Sequence, residues 1–137
     1  MNIIQDAIGV ATIAMEAGGE MPRGKVAVAF ALCNRQVWKK TSLSDVCLAP
    51  WQFSCWNTDA PTRSNLDLMT DTLWAECYRA LLAAQFKQEP DPTNGAIYYL
   101  NVKVVIKSAG KLPGWWDIDG DPASEVTIGH HTFRRHR

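Results

Sequence analysis

Two glutamates four positions apart, Glu16 and Glu20, enclose Ala17-Gly18-Gly19 at a point where one apolar run has stopped and the next has not begun. Glycine reaches positive φ without steric cost, so the backbone is expected to turn sharply there. Glu16 then stands on the last turn of a helix that starts near Ile3. The negative end of the helix dipole disfavours a carboxylate at that place, and partial burial disfavours it further. Both effects raise the pKa of an acid, and a carboxyl that holds its proton near neutral pH is what a general acid needs. An exposed helix-end glutamate would be spelled the same way, and composition alone favours that plainer reading.

Other chemistries find less support. There is no glycine-rich phosphate loop, GxSxG elbow or HExxH helix. Adjacent residues on a regular strand point to opposite faces, so His130 and His131 are not expected to share a metal, and no metal or cofactor is expected. Cys33, Cys47, Cys55 and Cys77 lack CxxC spacing, and a papain-like Cys–His pair has no supporting context. Gln52, Ser54, Asn57, Tyr98, Tyr99 and Asn101, with six tryptophans, form the inventory of a sugar site: aromatic faces for C–H surfaces and amides for hydroxyls. Most glycosidases add a second carboxylate. Asp45, Asp59 and Asp117 are candidates, and context distinguishes none of them.

The elements that must position these residues follow from periodicity. Ile3, Ala7, Val10, Ala11 and Ala14 mark one face of a first helix, ending near Glu16. Pro22 suits the first position of a second helix, whose buried face is expected to hold Val26, Ala29, Phe30, Cys33 and Val37, with Asn34 and Arg35 closing its last turns. A short element at Leu43–Leu48, capped by Ser42 or Ser44, precedes an aromatic stretch at 51–56. A long amphipathic helix is expected from Leu66 to about Phe86, then a strand at Gly95–Leu100, an irregular segment at Lys111–Asp121, and a second strand at Glu125–Phe133.

The 137 residues suit one domain spanning 1–137, with 47% apolar and 20% charged residues. Fourteen basic and fourteen acidic residues give zero net charge, which offers no footprint for nucleic acid. The basic end around Arg134-Arg135-His136-Arg137 reads as a solvated terminus. No apolar run approaches a membrane span, so no stable membrane insertion is expected. Met1–Asp6 lacks a positive n-region, and synthesis in the cytoplasm with reduced thiols is expected. The fold class expected is α+β, mainly helical, with a small two-stranded β element.

Several blocks resemble the cell-wall hydrolase family of the spore cortex-lytic enzymes. They are Glu16-Ala17-Gly18-Gly19-Glu20, Gly24-Lys25-Val26-Ala27-Val28-Ala29 with Asn34-Arg35, Gln52-Phe53-Ser54, Gly95-Ala96-Ile97-Tyr98-Tyr99 with Asn101, and Ile128-Gly129-His130-His131-Thr132-Phe133. They stand in the family's order over nearly the whole chain. The resemblance implies a lysozyme-like domain that binds a peptidoglycan glycan strand as a monomer and cleaves between N-acetylmuramic acid and N-acetylglucosamine. It implies Glu16 as the catalytic acid, acting alone as in lytic transglycosylases. Gln52, Phe53 and Ser54 would then lie across the cleft, and Tyr98, Tyr99 and His130 would shape its floor near the acid. Glu20, with Arg23 or Arg35 as its partner, Asn101 and Trp115 would support the site. Gly18 stands where the family commonly has Arg, and Val102 where it commonly has Pro; the segment 102–121 is expected as a cleft wall. A bacteriophage endolysin, released from the host cytoplasm to act on the wall, fits this reading best. A hydrolytic muramidase, a non-catalytic glycan-binding module and a metal-dependent amidase are the alternatives.

Overall fold

A computed structural model describes residues 2–49, 56 and 69–137. Among the described residues, six α-helices, α1 (Ile3–Ala17), α2 (Pro22–Lys39), α3 (Leu43–Leu48), α4 (Asp71–Gln85), α5 (Val102–Ala109) and α6 (Gly114–Ile118), accompany three strands, β1 (Tyr98–Leu100), β2 (Val126–Ile128) and β3 (His131–Arg134). The architecture is α+β and mainly helical.

Helix α1 starts where the Asn2 side chain accepts hydrogen bonds from the amides of Ile4 and Gln5. Its core face is Val10, Ile13, Ala14 and Ala17, whereas Ile3 is exposed rather than on that face. Helix α2 is buried almost all round: Ala27, Val28, Ala29, Phe30, Ala31 and Leu32 are each at most 4% exposed. A helix apolar on every side belongs in the centre of a fold. It packs against α1, α3 and α4 and also reaches β1 and β2. The helix runs past Asn34 and Arg35 to Lys39, and Val37, expected inside, is 77% exposed. Ser42 caps α3 through the Asp45 amide, and Thr70 caps α4 through the Leu73 amide.

Among the described residues the sheet has three strands rather than two, antiparallel in the order β1-β3-β2. The stretch expected as one strand at 125–133 is a hairpin, because Gly129 adopts φ +60° and turns the chain back. All four residues of the central β3 are buried. One sheet face carries Tyr99, Phe133 and Ile128 into the helical core. The other carries Tyr98 and Leu100, which cluster with Ile97 and Trp116. Helix α5 lies in a segment the sequence leaves unassigned, and α6 in one it marks as irregular; both belong to the stretch expected as a cleft wall, and Trp116 of α6 is 1% exposed.

Leu81 is 0% exposed where α4 meets the core. Leu81→Ala should lower the unfolding free energy by about 2–5 kcal/mol, read by urea unfolding. An unchanged midpoint and slope would show that α4 does not pack as described.

Candidate active site

The corner between α1 and α2 holds both glutamates. Gly18 is right-handed, with φ −59° and ψ −30°, so the turn does not use the left-handed glycine expected from the sequence. Space is what Gly18 supplies instead, since a Cβ there would run into the carbonyl oxygen of Ala14. The Glu20 amide donates to Ala17 O at 3.0 Å. Lys25, 4% exposed, donates its ammonium to the Glu20 carbonyl and pairs with Glu76 of α4 at 3.4 Å. A buried ammonium is tolerable only with such partners, and here they pin the corner to α4.

Glu16 is half-buried on the last turn of α1. One turn earlier, the buried Thr12 hydroxyl donates to Ile8 O at 2.8 Å and accepts the Trp56 indole N–H at 2.9 Å. Cys47 of α3 is fully buried beside this cluster. Its thiol is pushed up to about 11, chiefly by burial, with the Thr12 hydrogen bond opposing and the Glu16 charge adding to the rise. Burial likewise pushes Cys33 up to about 12 and Cys77 up to about 11. Thiols held protonated in this way act as small apolar groups rather than nucleophiles.

Glu20 occupies a cradle. Its side chain is 8% exposed, and Oε1 accepts the His130 backbone N–H at 3.0 Å. The His130 ring Nδ1 lies 3.2 Å from both carboxylate oxygens. His131 Nδ1 comes within 3.3 Å of Oε1, near enough for attraction but without the angle of a hydrogen bond. Two glycines make the room. A Cβ at Gly24 would stand 2.8 Å from Glu20 Cβ, and one at Gly129 would stand 3.1 Å from Glu20 Cδ. The partners of Glu20 are therefore the hairpin histidines, not Arg23 or Arg35. The buried His131 ring meets Tyr99 edge-on at 5.2 Å, and Tyr99 lies 5.5 Å from Phe133.

The expected sugar-binding set divides. Tyr99, His130 and Glu20 gather about the hairpin, but Tyr98 points through the opposite sheet face. There its hydroxyl bonds His136 Nδ1 at 2.9 Å, and its ring lies 5.6 Å from Trp115 and 5.4 Å from the Arg35 guanidinium. Strand alternation makes this split unavoidable for adjacent residues. Asn101 caps α5 by accepting from the Val104 amide. Gln52, Phe53, Ser54 and Asp59 lie outside the described residues. The Asp45 carboxylate accepts from the Thr41 hydroxyl at 2.8 Å, and hydrogen bonds from Thr41 and Ser42 hold its carboxyl below its usual value. Asp117 pairs with Arg134, which also binds Glu125 and the Trp116 carbonyl.

Sequence reasoning missed what Asn34 and Arg35 do. Asn34 donates to Asp91 Oδ2 and Ala96 O, and Arg35 donates to Ile97 O, so together they fasten the lead-in of β1 to α2. A pair of polar side chains in an otherwise apolar helix is the signal that could have revealed them. Among the described residues, no group of three or more His, Cys, Asp and Glu is arranged to hold a metal ion.

Comparison with known proteins places this geometry. The family described as Cell Wall Hydrolase matches residues 19–134. The chain belongs to that family. Its fold is similar to the catalytic domain of the germination-specific lytic transglycosylase SleB from Bacillus anthracis, with a TM-score of 0.70 and 22% identity over 98% of this chain and 97% of that one. No curated protein sequence matches significantly. The family match takes in Glu20, Gly24, Asn34, Arg35 and the His130–His131 turn, and begins three residues beyond Glu16.

Burial, outweighing the attraction of Glu20, lowers the pKa of His131 below its ordinary 6.5. The folded state then binds fewer protons than the unfolded chain just below that value, so stability falls as pH drops through it. Urea unfolding at pH 7.5 and pH 5 should show this loss, and His131→Phe should reduce it. An equal loss in both proteins would remove His131 as its source.

Proposed function

We propose that this cell wall hydrolase cleaves peptidoglycan glycan strands at the β-1,4 bond between N-acetylmuramic acid and N-acetylglucosamine, with Glu16 as general acid. The observation that carries this reading is the place of the Glu16 carboxyl at the α1–α2 corner of a chain that belongs to the Cell Wall Hydrolase family. Glu16 stands half-buried at the end of α1, beside the buried Cys47 and one turn from the Thr12–Trp56 bond.

In the proposed reaction the Glu16 carboxyl gives its proton to the glycosidic oxygen as the bond from that oxygen to the muramyl anomeric carbon breaks. Positive charge develops on the anomeric carbon and ring oxygen. The 6-hydroxyl of the same muramyl residue then bonds to that carbon, and its proton passes to the Glu16 carboxylate. The product is a 1,6-anhydro end, and the acid is restored. One carboxyl acts first as acid and then as base, so the cycle needs no second carboxylate. Attack by water in place of the 6-hydroxyl would give a reducing end from the same site. Gln52, Phe53 and Ser54 would border the strand, with Tyr99 and His130 on the hairpin side. The setting we propose is lysis of a bacterial host from within, as by a bacteriophage endolysin.

Glu16→Gln should fold as the wild type and lose about 10²–10⁴-fold in rate on purified peptidoglycan. Mass spectrometry of the wild-type digest should show anhydro-muropeptides. A variant retaining more than roughly a hundredth of the rate would refute Glu16 as the acid, and reducing ends alone would replace transglycosylation by hydrolysis.

A further inference from the structure

At the other end of α1 from Glu16, a cavity of about 250 Å³ opens between the first turn of α1, α2, the start of α3 and the end of α4. Its lining includes Gln5, Asp6, Gln36, Leu43, Gln85 and Phe86. Asp6 and Glu16 are ten residues apart on one helix, roughly 15 Å at the α-helical rise. The cavity is thus separate from the corner that holds the glutamates.

Asp6 is 4% exposed, yet its carboxylate is only half satisfied. Oδ1 accepts from Gln85 Nε2 at 3.1 Å, while the buried Oδ2 has no hydrogen-bond partner among the described residues. None of the ion pairs among those residues includes Asp6. The first turn of α1 offers partial positive charge from the helix dipole, but no donor for Oδ2. A buried carboxylate oxygen without a donor is costly, and a cation supplying one relieves that cost.

We propose that this cavity binds a primary alkylammonium group, with Asp6 Oδ2 as its counter-ion. The surroundings select among cations. A guanidinium favours both carboxylate oxygens in a fork, and Gln85 already occupies Oδ1. A hard divalent ion takes six or more oxygens, usually from several carboxylates, and this cavity has one. An ammonium needs only acceptors for three hydrogens. Asp6 Oδ2 supplies one, and the Gln85 and Gln36 carbonyl oxygens are the other acceptors at hand. Gln5 is less available, because its oxygen already accepts from the Ser44 amide at 2.7 Å. Leu43 and the exposed Phe86 give the alkyl stem an apolar wall. The group could reach the cavity on a free small amine or on a peptide of the wall polymer.

The test is a titration of the ¹⁵N-labelled full chain at pH 7 with n-butylammonium, and separately with Nα-acetyl-lysine methylamide, following the side-chain amides of Gln36 and Gln85. Both probes should give saturable shifts confined to this cavity. The Nε-acetylated form of the second probe should give none. Binding of n-butylammonium alone would assign the site to a free amine; binding of both fits a peptide source. Asp6→Asn, which keeps an oxygen for Gln85, should weaken binding roughly tenfold or more. Phe86→Lys, at an exposed position, should also suppress binding by supplying an ammonium from the chain itself. Shifts that do not saturate, that match in Asp6→Asn, or that persist with the acetylated probe would overturn the proposal, and no shift would leave water as the occupant.

Discussion

The Glu20 carboxylate is the interaction on which the rest of the structure depends. It joins the corner between α1 and α2 to the turn between β2 and β3, segments separated by 110 residues in sequence. A buried carboxylate is favourable only while its donors are in place. That condition fixes the hairpin turn at the start of α2 and explains the two glycines around it. Gly24 lets the Glu20 stem lie on the helix, and Gly129 both turns the strand and leaves space for the carboxyl. His131 then lies buried between Glu20 and the Tyr99–Phe133 face, where burial favours its neutral form.

Helix α2 carries this constraint through the molecule. Its first turn receives Glu20, its apolar middle is enclosed by α1, α3 and α4, and its polar pair Asn34–Arg35 holds the lead-in of β1. The sheet is thereby tied to one helix at two places, at the β2–β3 turn and before β1. Its second face is closed independently, by Arg134 stacked 4.4 Å over Trp116 and bonded to Asp117 and Glu125. Asp117 thus takes part in the contact between α6 and β3.

Local signals were legible in the sequence, and long-range ones were not. The bounds of α3 and the proline start of α2 followed from caps and periodicity, because those signals lie within a few residues of the element they define. The run Val102-Lys103-Val104-Val105-Ile106 is helical although β-branched residues favour strands, and Asn101 and Gly110 mark its two ends. The stretch 125–133 reads as one strand because its apolar alternation continues across Gly129. The sequence suggests nearby arginines as partners of Glu20, whereas the true partners arrive from the other end of the chain. The family resemblance does not reveal that Tyr98 and Tyr99 serve opposite faces of the sheet.

Glu20 is given over to this junction, with its oxygens held as acceptors. Amide hydrogen exchange at His130 tests the junction most directly. His130 sits in a turn with its side chain 76% exposed, so its backbone N–H has little reason to be protected except the bond to Glu20. The account predicts a slowly exchanging His130 amide in the native protein, and loss of that protection in Glu20→Ala while amides in the middle of α2 remain protected. A His130 amide that exchanges at the unfolded rate in the native protein would contradict it.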